Sequence, residues 1–537
     1  MMNFIFILNC VLTSSGLQPT IDINGCKGKT ISFDHSKERW NMVSNSDCLD
    51  TILKLNSEIK ELTILFSGGT YNFDRTLIID NFQGRVHFKG TGTTTFKLEK
   101  PLLTCMARYM PLKLTHQIDR FDTKIEVESA DRDISLVRIQ SPDTVETAWY
   151  SRANDFLRVT SIHDKSIVFT DSINFAYSTQ NAELVGFANS ALVIEGIKFV
   201  TAGDLNSMMI FTGTSVSILN CSFVNVGEHN LHALVDLNNC ENVRVEQVVI
   251  EGKVDYGFLI NGSRNIYFTN IKSSTCLQPI VPATWTTNLI VEGLYCRGSV
   301  IDAHPSFNIT YKDVTIEGGA SYWNCRALGV HLENCYFNVD SSFNNVSLYL
   351  GVLALTKNYE YLYNLYDVIC TNVKWRHTDM GFNGLHVHWC RSFIVDHCET
   401  HEVSVGPGVK EFVITNSHIG RVASANCNYQ VENTTFDASL QGNARVSPPL
   451  SCSNEGVLYV KNCRFEGFEE TYLFNYIHWP TTSITLENCT YPLMKGFVQK
   501  TFMAKDTYSH IFILNTPNSH RSLGMFDDVP FHISRND

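Results

Sequence analysis

The sequence has a deficit of basic residues and no long apolar segment. Lys and Arg number 42 against 54 Asp and Glu, which gives the 537 residues a formal net charge of -12. Recognition of nucleic-acid phosphates needs a basic surface, so we expect no nucleic-acid partner. The early apolar run, Phe4–Leu8, is too short to cross a bilayer, and we expect no integral membrane segment. Because no basic region precedes that run, residues 1–16 look like only a weak signal segment.

Helical periodicity is also scarce, and apolar alternation with period two takes its place. Between residues 190 and 491 a short alternating pattern ends in Asn or Asp, often followed by Cys and then an aromatic or β-branched residue. Its copies begin at Val216, Ile266, Leu289, Ile309, Val330, Phe393, Phe412, Val457 and Ile484. They recur roughly every two dozen residues, which is typical of a solenoid. The pattern predicts half-buried strands that bend at a residue tolerant of left-handed backbone and stack coil on coil.

A further strand precedes many of these copies. Examples are Leu234–Asn238, Phe258–Asn261, Val300–His304, Leu385–His388 and Val422–Asn426. A β-sandwich also contains alternating strands, but its strands lack a fixed period with the same corner residue. We therefore predict an all-β, right-handed parallel β-helix.

The 17 cysteines suggest a disulfide framework by number but not by position. Cys221, Cys335, Cys398, Cys463 and Cys489 each follow a corner Asn or His, where a small side chain can stack inward. This placement favours buried free thiols, although cysteines of neighbouring coils could pair. Six Asn-x-Ser/Thr sequons decide little, because a chain rich in Asn, Ser and Thr contains such triplets by chance.

The first coils carry a resemblance to a known superfamily. An amphipathic pattern over Asp47–Lys60 predicts a short helix that caps the open end of the coil. It is followed by a strand ending in Gly69-Thr-Tyr71, another strand, and Gly90-Thr-Gly92. This order resembles the opening of the pectate-lyase-like superfamily, also called the pectin lyase fold. The resemblance implies only architecture, because the superfamily includes lyases, hydrolases, epimerases and non-catalytic tail proteins.

The coil pattern lapses in one internal region and ends before the C-terminus. Strand patterns at Thr123–Val127, Ser135–Ile139, Phe156–Val159 and Ser166–Phe169 predict a small inserted antiparallel β-subdomain. Similar insertions are familiar in bacterial and phage members of the superfamily. The predicted organisation is a signal-like segment at 1–16, the cap helix and first coils at 17–107, the insertion at 108–185, the main β-helix at 186–494, and a terminal cap or oligomer contact at 495–537.

The catalytic signatures best known in this superfamily were not found. The repeats contain no Asn-Thr-Asp, paired-Asp and Gly-His-Gly series of the polygalacturonase type. They also contain no evident acidic calcium cluster with a downstream Arg of the pectate lyase type. The sequence therefore gives no support to either of those two chemistries.

The most unusual stretch is Arg376–Trp389, which contains His377, Asp379, His386 and His388. If Leu385 and Val387 face the core, then His386 and His388 project from the same outer face. A histidine there can exchange a proton with a sugar, with Tyr349 or Asp379 as partner. Two alternatives are a metal site, since imidazole and carboxylate suit zinc or manganese, and a solvated strand face without a function. We predict neither a bound metal nor another cofactor for this protein.

Counting back from the following strands places other polar residues in the same columns as the two histidines. His388 aligns with His304, and His386 aligns with Asp302 and Asp236. Asp302 and His386 are expected three coils apart, or roughly 14 Å, which suits subsites along a glycan better than one acid–base pair. We therefore predict His386, His388, His377, Asp379 and Tyr349 as catalytic. The predicted substrate-binding residues are Asp302, His304, Asp236, Arg376 and Trp389.

Tryptophan side chains give a weaker signal. Trp285, Trp323, Trp389 and Trp479 can stack on sugar rings, but aromatic residues also plug the ends and seams of β-helices. Together the patterns predict a carbohydrate-active protein that binds an extracellular or cell-surface polysaccharide and cleaves it as a lyase or glycoside hydrolase. The alternative is a non-catalytic structural or glycan-binding spike, such as a viral tail component, with a homotrimer as a candidate assembly. Either function places the protein outside the cell or on a virion surface.

Overall fold

A computed structural model describes residues 21–22, 29–33, 45–55, 60–148, 150–202, 205–318, 323–339, 347–352, 354–377, 384–425, 427–441, 446–452, 457–478, 483–502, 510–514 and 532–536. They fall into two compact units. Unit 1 comprises residues 1–144 and 151–297, and unit 2 comprises residues 145–150 and 298–537. No helix among the described residues is both long enough and apolar enough to span a membrane.

Unit 1 contains stacked coils with three strands each. The first strand of a coil ends at a corner residue, the second follows that corner, and the third forms a separate sheet. First and second strands are supplied by Lys29–Phe33, Glu61–Phe66, Gly69–Phe73, Gly84–Leu98, Ser190–Thr201, Ser215–Leu219, Ser222–Asn225, Glu241–Gly252, Arg264–Ser273, Thr286–Glu292 and Tyr295–Arg297. The short strand Ile21–Asp22 pairs antiparallel with Lys29–Phe33. The third sheet consists of Leu77–Phe82, Leu103–Ala107, Ser207–Thr212, Leu231–Asn238, Val254–Asn261 and Cys276–Ala283. Neighbouring coils pair in parallel, as Ser190–Thr201 does with Gly84–Leu98.

Unit 2 repeats this arrangement, and several of its strands run through more than one side of a coil. Its strands are Asp302–Lys312, Thr315–Gly318, Trp323–Glu333, Tyr336–Val339, Leu348–Leu350, Val368–Thr371, Lys374–His377, Gly384–Asp396, Glu399–Thr415, His418–Ala425, Asn428–Glu432, Thr435–Asp437, Leu450–Cys452, Val457–Lys461, Arg464–Glu466, Tyr472–His478, Ser483–Glu487, Gly496–Phe502, His510–Leu514 and His532–Asn536. Two short 3-10 helices, Lys357–Leu365 and Ala438–Gln441, lie between strands. The structure thus confirms the predicted parallel β-helix in each unit.

The corner residues explain why the sequence repeats. Asn220, Asn270, Asn334, Asn416 and Asn462 all have φ between 50° and 55°, a left-handed conformation that asparagine adopts more readily than most residues. Their side-chain amides also connect neighbouring coils. In unit 2, Nδ2 of Asn462 donates to Oδ1 of Asn433 at 3.1 Å. Each of these asparagines therefore bends the backbone of its own coil. In the pair Asn462 and Asn433, the side chain also hydrogen-bonds to the neighbouring coil.

The coil interior is apolar and contains the cysteines. All 13 cysteines whose side chains the structure describes are buried free thiols, as the sequence pattern favours. Trp285 and Trp323, considered above as sugar-stacking residues, are 2% and 0% exposed, so that interpretation is wrong for both. Trp323 packs edge-on against Trp375 inside unit 2. Trp479 lies outside the described residues.

The short helix spans Asn45–Leu55 and contacts the strands Gly69–Phe73 and Leu77–Phe82, which begin the second and third sheets of unit 1. Leu49 is fully buried, whereas Ile52 and Leu53 are half-buried. The first sheet continues beyond the helix, because Lys29–Phe33 pairs in parallel with Glu61–Phe66. The helix therefore lies beside the first strands of two sheets and not of all three.

Parallel pairing continues past Met494, so the predicted end of the coil is too early. Gly496–Phe502 pairs with Tyr472–His478, and His510–Leu514 pairs with Ser483–Glu487. The last strand, His532–Asn536, pairs with His510–Leu514. The alternation of His510–Leu514 followed by Asn515 and Thr516 is itself a weak copy of the repeat.

The insertion forms a six-stranded sheet. Its strands, in spatial order, are Tyr109–Leu112, Glu183–Ala188, Ile134–Glu146, Ser151–His163, Ser166–Phe169 and Lys124–Glu126. Within unit 1, Arg158 pairs with Glu241 and Asp171 pairs with Arg264, so ion pairs join the insertion to the coil. Nε1 of Trp285 donates to the carbonyl of Arg152 at 2.8 Å. A buried tryptophan thus serves as an anchor for the insertion.

A buried carboxyl group in the insertion predicts a pH-dependent stability. Asp155 accepts hydrogen bonds from the Tyr177 hydroxyl at 2.9 Å and from the Asn174 side chain at 2.8 Å. Burial outweighs these bonds and raises its pKa to about 6 from 3.8. The folded protein then binds more protons than the unfolded chain between these values, so stability is expected to fall as the pH rises from about 4 to about 6.

The Asp155→Asn variant is expected to lose this part of the pH dependence. The thermal unfolding midpoint of the parent, measured relative to that of the variant, should decline across the same pH interval. Asp164→Asn, at an exposed turn of the insertion, is the matched control and should follow the parent. Parallel curves for the parent and Asp155→Asn would contradict the assignment.

Candidate functional site

One polar column runs across the sheet of unit 2, on the third side of its coils. Asp302 pairs with Asn324, Asn324 with Tyr349, Tyr349 with His386, and His386 with Ser404. Asp302 and His386 are therefore three coils apart, as counted from the sequence, or about 14 Å at one strand spacing per coil. We call the outer side of this sheet from Asp302 to Ser404, including His304, Arg326 and His388, the histidine face.

The histidines point outward because their strand alternates. Leu385 and Val387 are 0% and 1% exposed and fill the interior. His386 and His388, between and after them, are half-exposed on the outer side. The prediction that both project from one face agrees with this arrangement.

Tyr349 lies against both histidines. Its ring stacks on His388 at a centroid distance of 5.8 Å and meets His386 edge-on at 5.3 Å. The two imidazoles are 6.5 Å apart. Burial, with a smaller contribution from His386, lowers the pKa of His388, so its imidazole is neutral at neutral pH. The cluster combines a proton acceptor, a phenol and a second imidazole within reach of one ligand.

A buried carboxylate that the sequence analysis missed lies behind His386. Oε1 of Glu402 is 3.7 Å from Nε2 of His386, and Oε2 accepts two hydrogen bonds from Arg421, at 2.6 and 2.9 Å. Burial opposes the charged form, but His386 and Arg421 together lower the pKa of Glu402. Glu402 is therefore ionised although only 6% of the residue is exposed.

A second charged cluster forms the other end of the histidine face. Nε2 of His304 is 3.6 Å from Asp302, and Arg326 approaches the same carboxylate at 3.8 Å. Burial raises the pKa of Asp302 and lowers that of His304, and their mutual attraction offsets this only in part. Burial lowers the pKa of Arg326, and the charges of Asp302 and of the fully buried Glu146, from the segment 145–150 of unit 2, offset this only in part. Arg326 is thus neutralised from two sides.

The structure brings several of the predicted residues together but not all of them. Trp389 stacks on Tyr363 at 4.5 Å and packs against Gly408, where an added Cβ would lie 1.7 Å from the indole. Arg376 lies on the second strand of its coil, outside the histidine column, and pairs with Glu399 at 3.0 Å.

Three further predicted residues are not part of the histidine face as described. Asp236 belongs to unit 1, where it accepts a hydrogen bond from Ser207 and burial raises its pKa. His377 ends the strand Lys374–His377, and its side chain is not among the described ones. Asp379 lies outside the described residues.

The metal interpretation receives no geometric support from the part of the chain that the structure describes. Within it, no group of three or more His, Cys, Asp and Glu side chains is arranged to hold an ion.

The comparisons with known proteins found similar structures but no related sequence. No family model and no curated protein match the chain. The tailspike protein gp49 from Pseudomonas phage LKA1 is 12% identical with a TM-score of 0.48, over 88% of this chain and 73% of that one. The Gp54 tailspike of Acinetobacter baumannii bacteriophage AP22, solved with a capsular saccharide, is 11% identical with a TM-score of 0.37, over 90% and 76%.

An enzyme is also among the similar structures. The catalytic unit of the GH87 α-1,3-glucanase from Streptomyces thermodiastaticus is 9% identical with a TM-score of 0.26, over 75% of this chain and 94% of that one. At these values none of the similarities assigns the chain to a family. The parallel strand pairing within each unit is what identifies the chain as a parallel β-helix protein.

Proposed function

We propose that the histidine face binds an extended polysaccharide and that the cluster of Tyr349, His386 and His388 provides the acid and base for its cleavage. The observation that carries this proposal is the unbroken column Asp302, Asn324, Tyr349, His386 and Ser404 on adjacent coils. The partly exposed members, Asn324, Tyr349, His386 and Ser404, can each hydrogen-bond a sugar hydroxyl, and the tyrosine can also stack on a ring. An extended polar face is the usual binding surface of a solenoid.

The spacing of the carboxylates bears on the chemistry. Glycoside hydrolysis by a carboxylate pair needs the two groups roughly 5–10 Å apart. Asp302 lies about 14 Å from His386 along the column, and Glu402 reaches His386 from the following coil. The two carboxylates are thus too far apart to act on one bond. We therefore assign proton transfer to the imidazoles and the phenol, whether cleavage is an elimination or a hydrolysis.

The test is a panel of neutral and uronate-containing polysaccharides incubated with the full chain. Cleavage would appear as released reducing ends, and elimination would add the ultraviolet absorbance of an unsaturated uronate. Binding would be measured in parallel by retardation in gels containing each polysaccharide. Binding without cleavage favours the non-catalytic glycan-binding spike, an extracellular or virion-surface protein that we keep as the second candidate. Neither binding nor cleavage across a broad panel would overturn the proposal.

A further inference from the structure

We propose that Glu402, held by Arg421, is a positioning residue that keeps Nε2 of His386 protonated and leaves Nδ1 as the atom that takes a proton from the substrate. This inference rests on the proposed function and adds a direction of proton transfer to it. We assign Glu402 no contact with the substrate, because it acts through His386.

The first argument is that both oxygens of Glu402 are engaged. Arg421 donates two hydrogen bonds to Oε2, and Oε1 faces Nε2 of His386 at 3.7 Å. Arg421 is itself only 12% exposed in its side chain, so the pair is fixed within the protein. A guanidinium held in this way cannot swing towards a ligand, and its role is to fix the carboxylate.

The second argument is the chemistry of the two groups. An ionised carboxylate only accepts hydrogen bonds, so it favours the tautomer in which the imidazole nitrogen that faces it carries the hydrogen. In the neutral imidazole the other nitrogen, Nδ1, then carries the lone pair. The separation of 3.7 Å is longer than a hydrogen bond, and such contacts at catalytic groups commonly shorten when substrate binds. When Nδ1 accepts a proton, the imidazolium that forms lies beside a negative charge.

The third argument is that the other groups around His386 do not compete for this role. Tyr349 faces the ring from the preceding coil, His388 from its own strand and Ser404 from the following coil. His388 is neutral at neutral pH, and Tyr349 presents its ring. Glu402, in contrast to these three groups, faces His386 with a negative charge.

The backbone also supports this contact. Gly384 pairs with Glu402, and a Cβ on Gly384 would lie 1.8 Å from the carbonyl oxygen of Glu402. A side chain at this position would push the two strands apart. The glycine therefore permits the close approach that places Glu402 next to His386.

The direct test is the tautomer of His386 in the parent protein. Long-range proton–nitrogen correlation spectra distinguish an Nε2-protonated from an Nδ1-protonated ring, and the His386 signals are assigned by their loss in His386→Asn. We expect the Nε2-protonated form. The Nδ1-protonated form would overturn the inference, and this readout needs neither activity nor a folded Glu402 variant.

The second test uses the pH profile of the cleavage or binding found on the panel. Glu402→Gln removes the negative charge that stabilises the imidazolium, so the acid limb should move by about one pH unit towards lower pH. The double variant Glu402→Gln/Arg421→Gln removes both charges, so Arg421 is not left buried without its carboxylate, and its acid limb should move in the same direction by a smaller amount. An unchanged limb in both variants would overturn the inference. If the panel shows neither cleavage nor binding, the tautomer of His386 still tests the positioning role of Glu402. Failure of the proposed function and failure of the positioning role therefore remain distinguishable.

Discussion

Replacing His386 and His388 together by asparagine is expected to leave unit 2 folded and to reduce polysaccharide cleavage or binding by at least about tenfold, which corresponds to ~1.4 kcal/mol. Both side chains lie on the outer side of their strand, where they alternate with buried Leu385 and Val387, so they contribute little to the core. Loss of positioned acid–base groups typically costs about 10²–10⁴ in rate, so the effect on cleavage should exceed the effect on binding. Initial rates and retardation by the same polysaccharide measure the two quantities.

His331→Asn is the matched control for this double variant. His331 is also half-buried, but it lies at the other end of the strand Trp323–Glu333, where the chain pairs with Val368–Thr371 and not with the strands that carry Tyr349 and His386. It should retain the activity of the parent. If the double variant folds and keeps full activity on a substrate that the parent cleaves, the acid and base lie elsewhere. Asp302 and His304 at the other end of the histidine face would then be the next residues to substitute.

Replacing Leu49 by aspartate is expected to destabilise unit 1 by about 3–5 kcal/mol and to promote aggregation. Leu49 is fully buried between the helix and the first strands of the second and third sheets. Loss of a buried leucine costs about 2–5 kcal/mol, and a carboxylate in the same place adds the cost of burying a charge. Displacement of the helix would also expose strand edges to other chains. Thermal unfolding and light scattering report the two effects.

Thr51→Asp is the matched control, because Thr51 is exposed on the same helix. It introduces the same charge without removing a core contact, and it should unfold close to the parent. A Leu49→Asp protein as heat-stable and as soluble as the parent would show that the helix does not protect the end of these sheets.

The corner asparagines made much of this fold predictable. A left-handed residue at a fixed position sets the register of each coil, so the column from Asp302 to His386 could be counted from the sequence before any pairing was known. The corner need not be asparagine, since Gln247 and His397 adopt the same conformation. Such substitutions weaken the pattern locally.

The burial of the carboxylate behind His386 was not predictable, for a physical reason. Glu402 lies inside the continuous strand Glu399–Thr415, where the chain passes from the second to the third side of a coil without a marked corner. Its partner Arg421 lies opposite it on the next coil, and each of the two follows its own corner, His397 or Asn416, by the same number of residues. The pair could thus be counted from the corners, but the burial of Glu402 beside buried Val403 breaks the alternation and could not be predicted. The position of Trp389 likewise depends on Tyr363 in the 3-10 helix Lys357–Leu365, an irregular segment that the alternation does not predict.

The buried cysteines have a practical consequence for labelling. The 13 described thiols are inside the coils and so are shielded from alkylating dyes in the folded protein. Serine substitution of the four other cysteines, Cys10, Cys26, Cys48 and Cys452, would leave those 13 as the remaining native thiols. A cysteine introduced at Ser404, the neighbour of His386 in the column, could then carry a fluorophore selectively. Such a protein would report the arrival of a polysaccharide at the histidine face as a change in emission, independently of whether the chain is cleaved.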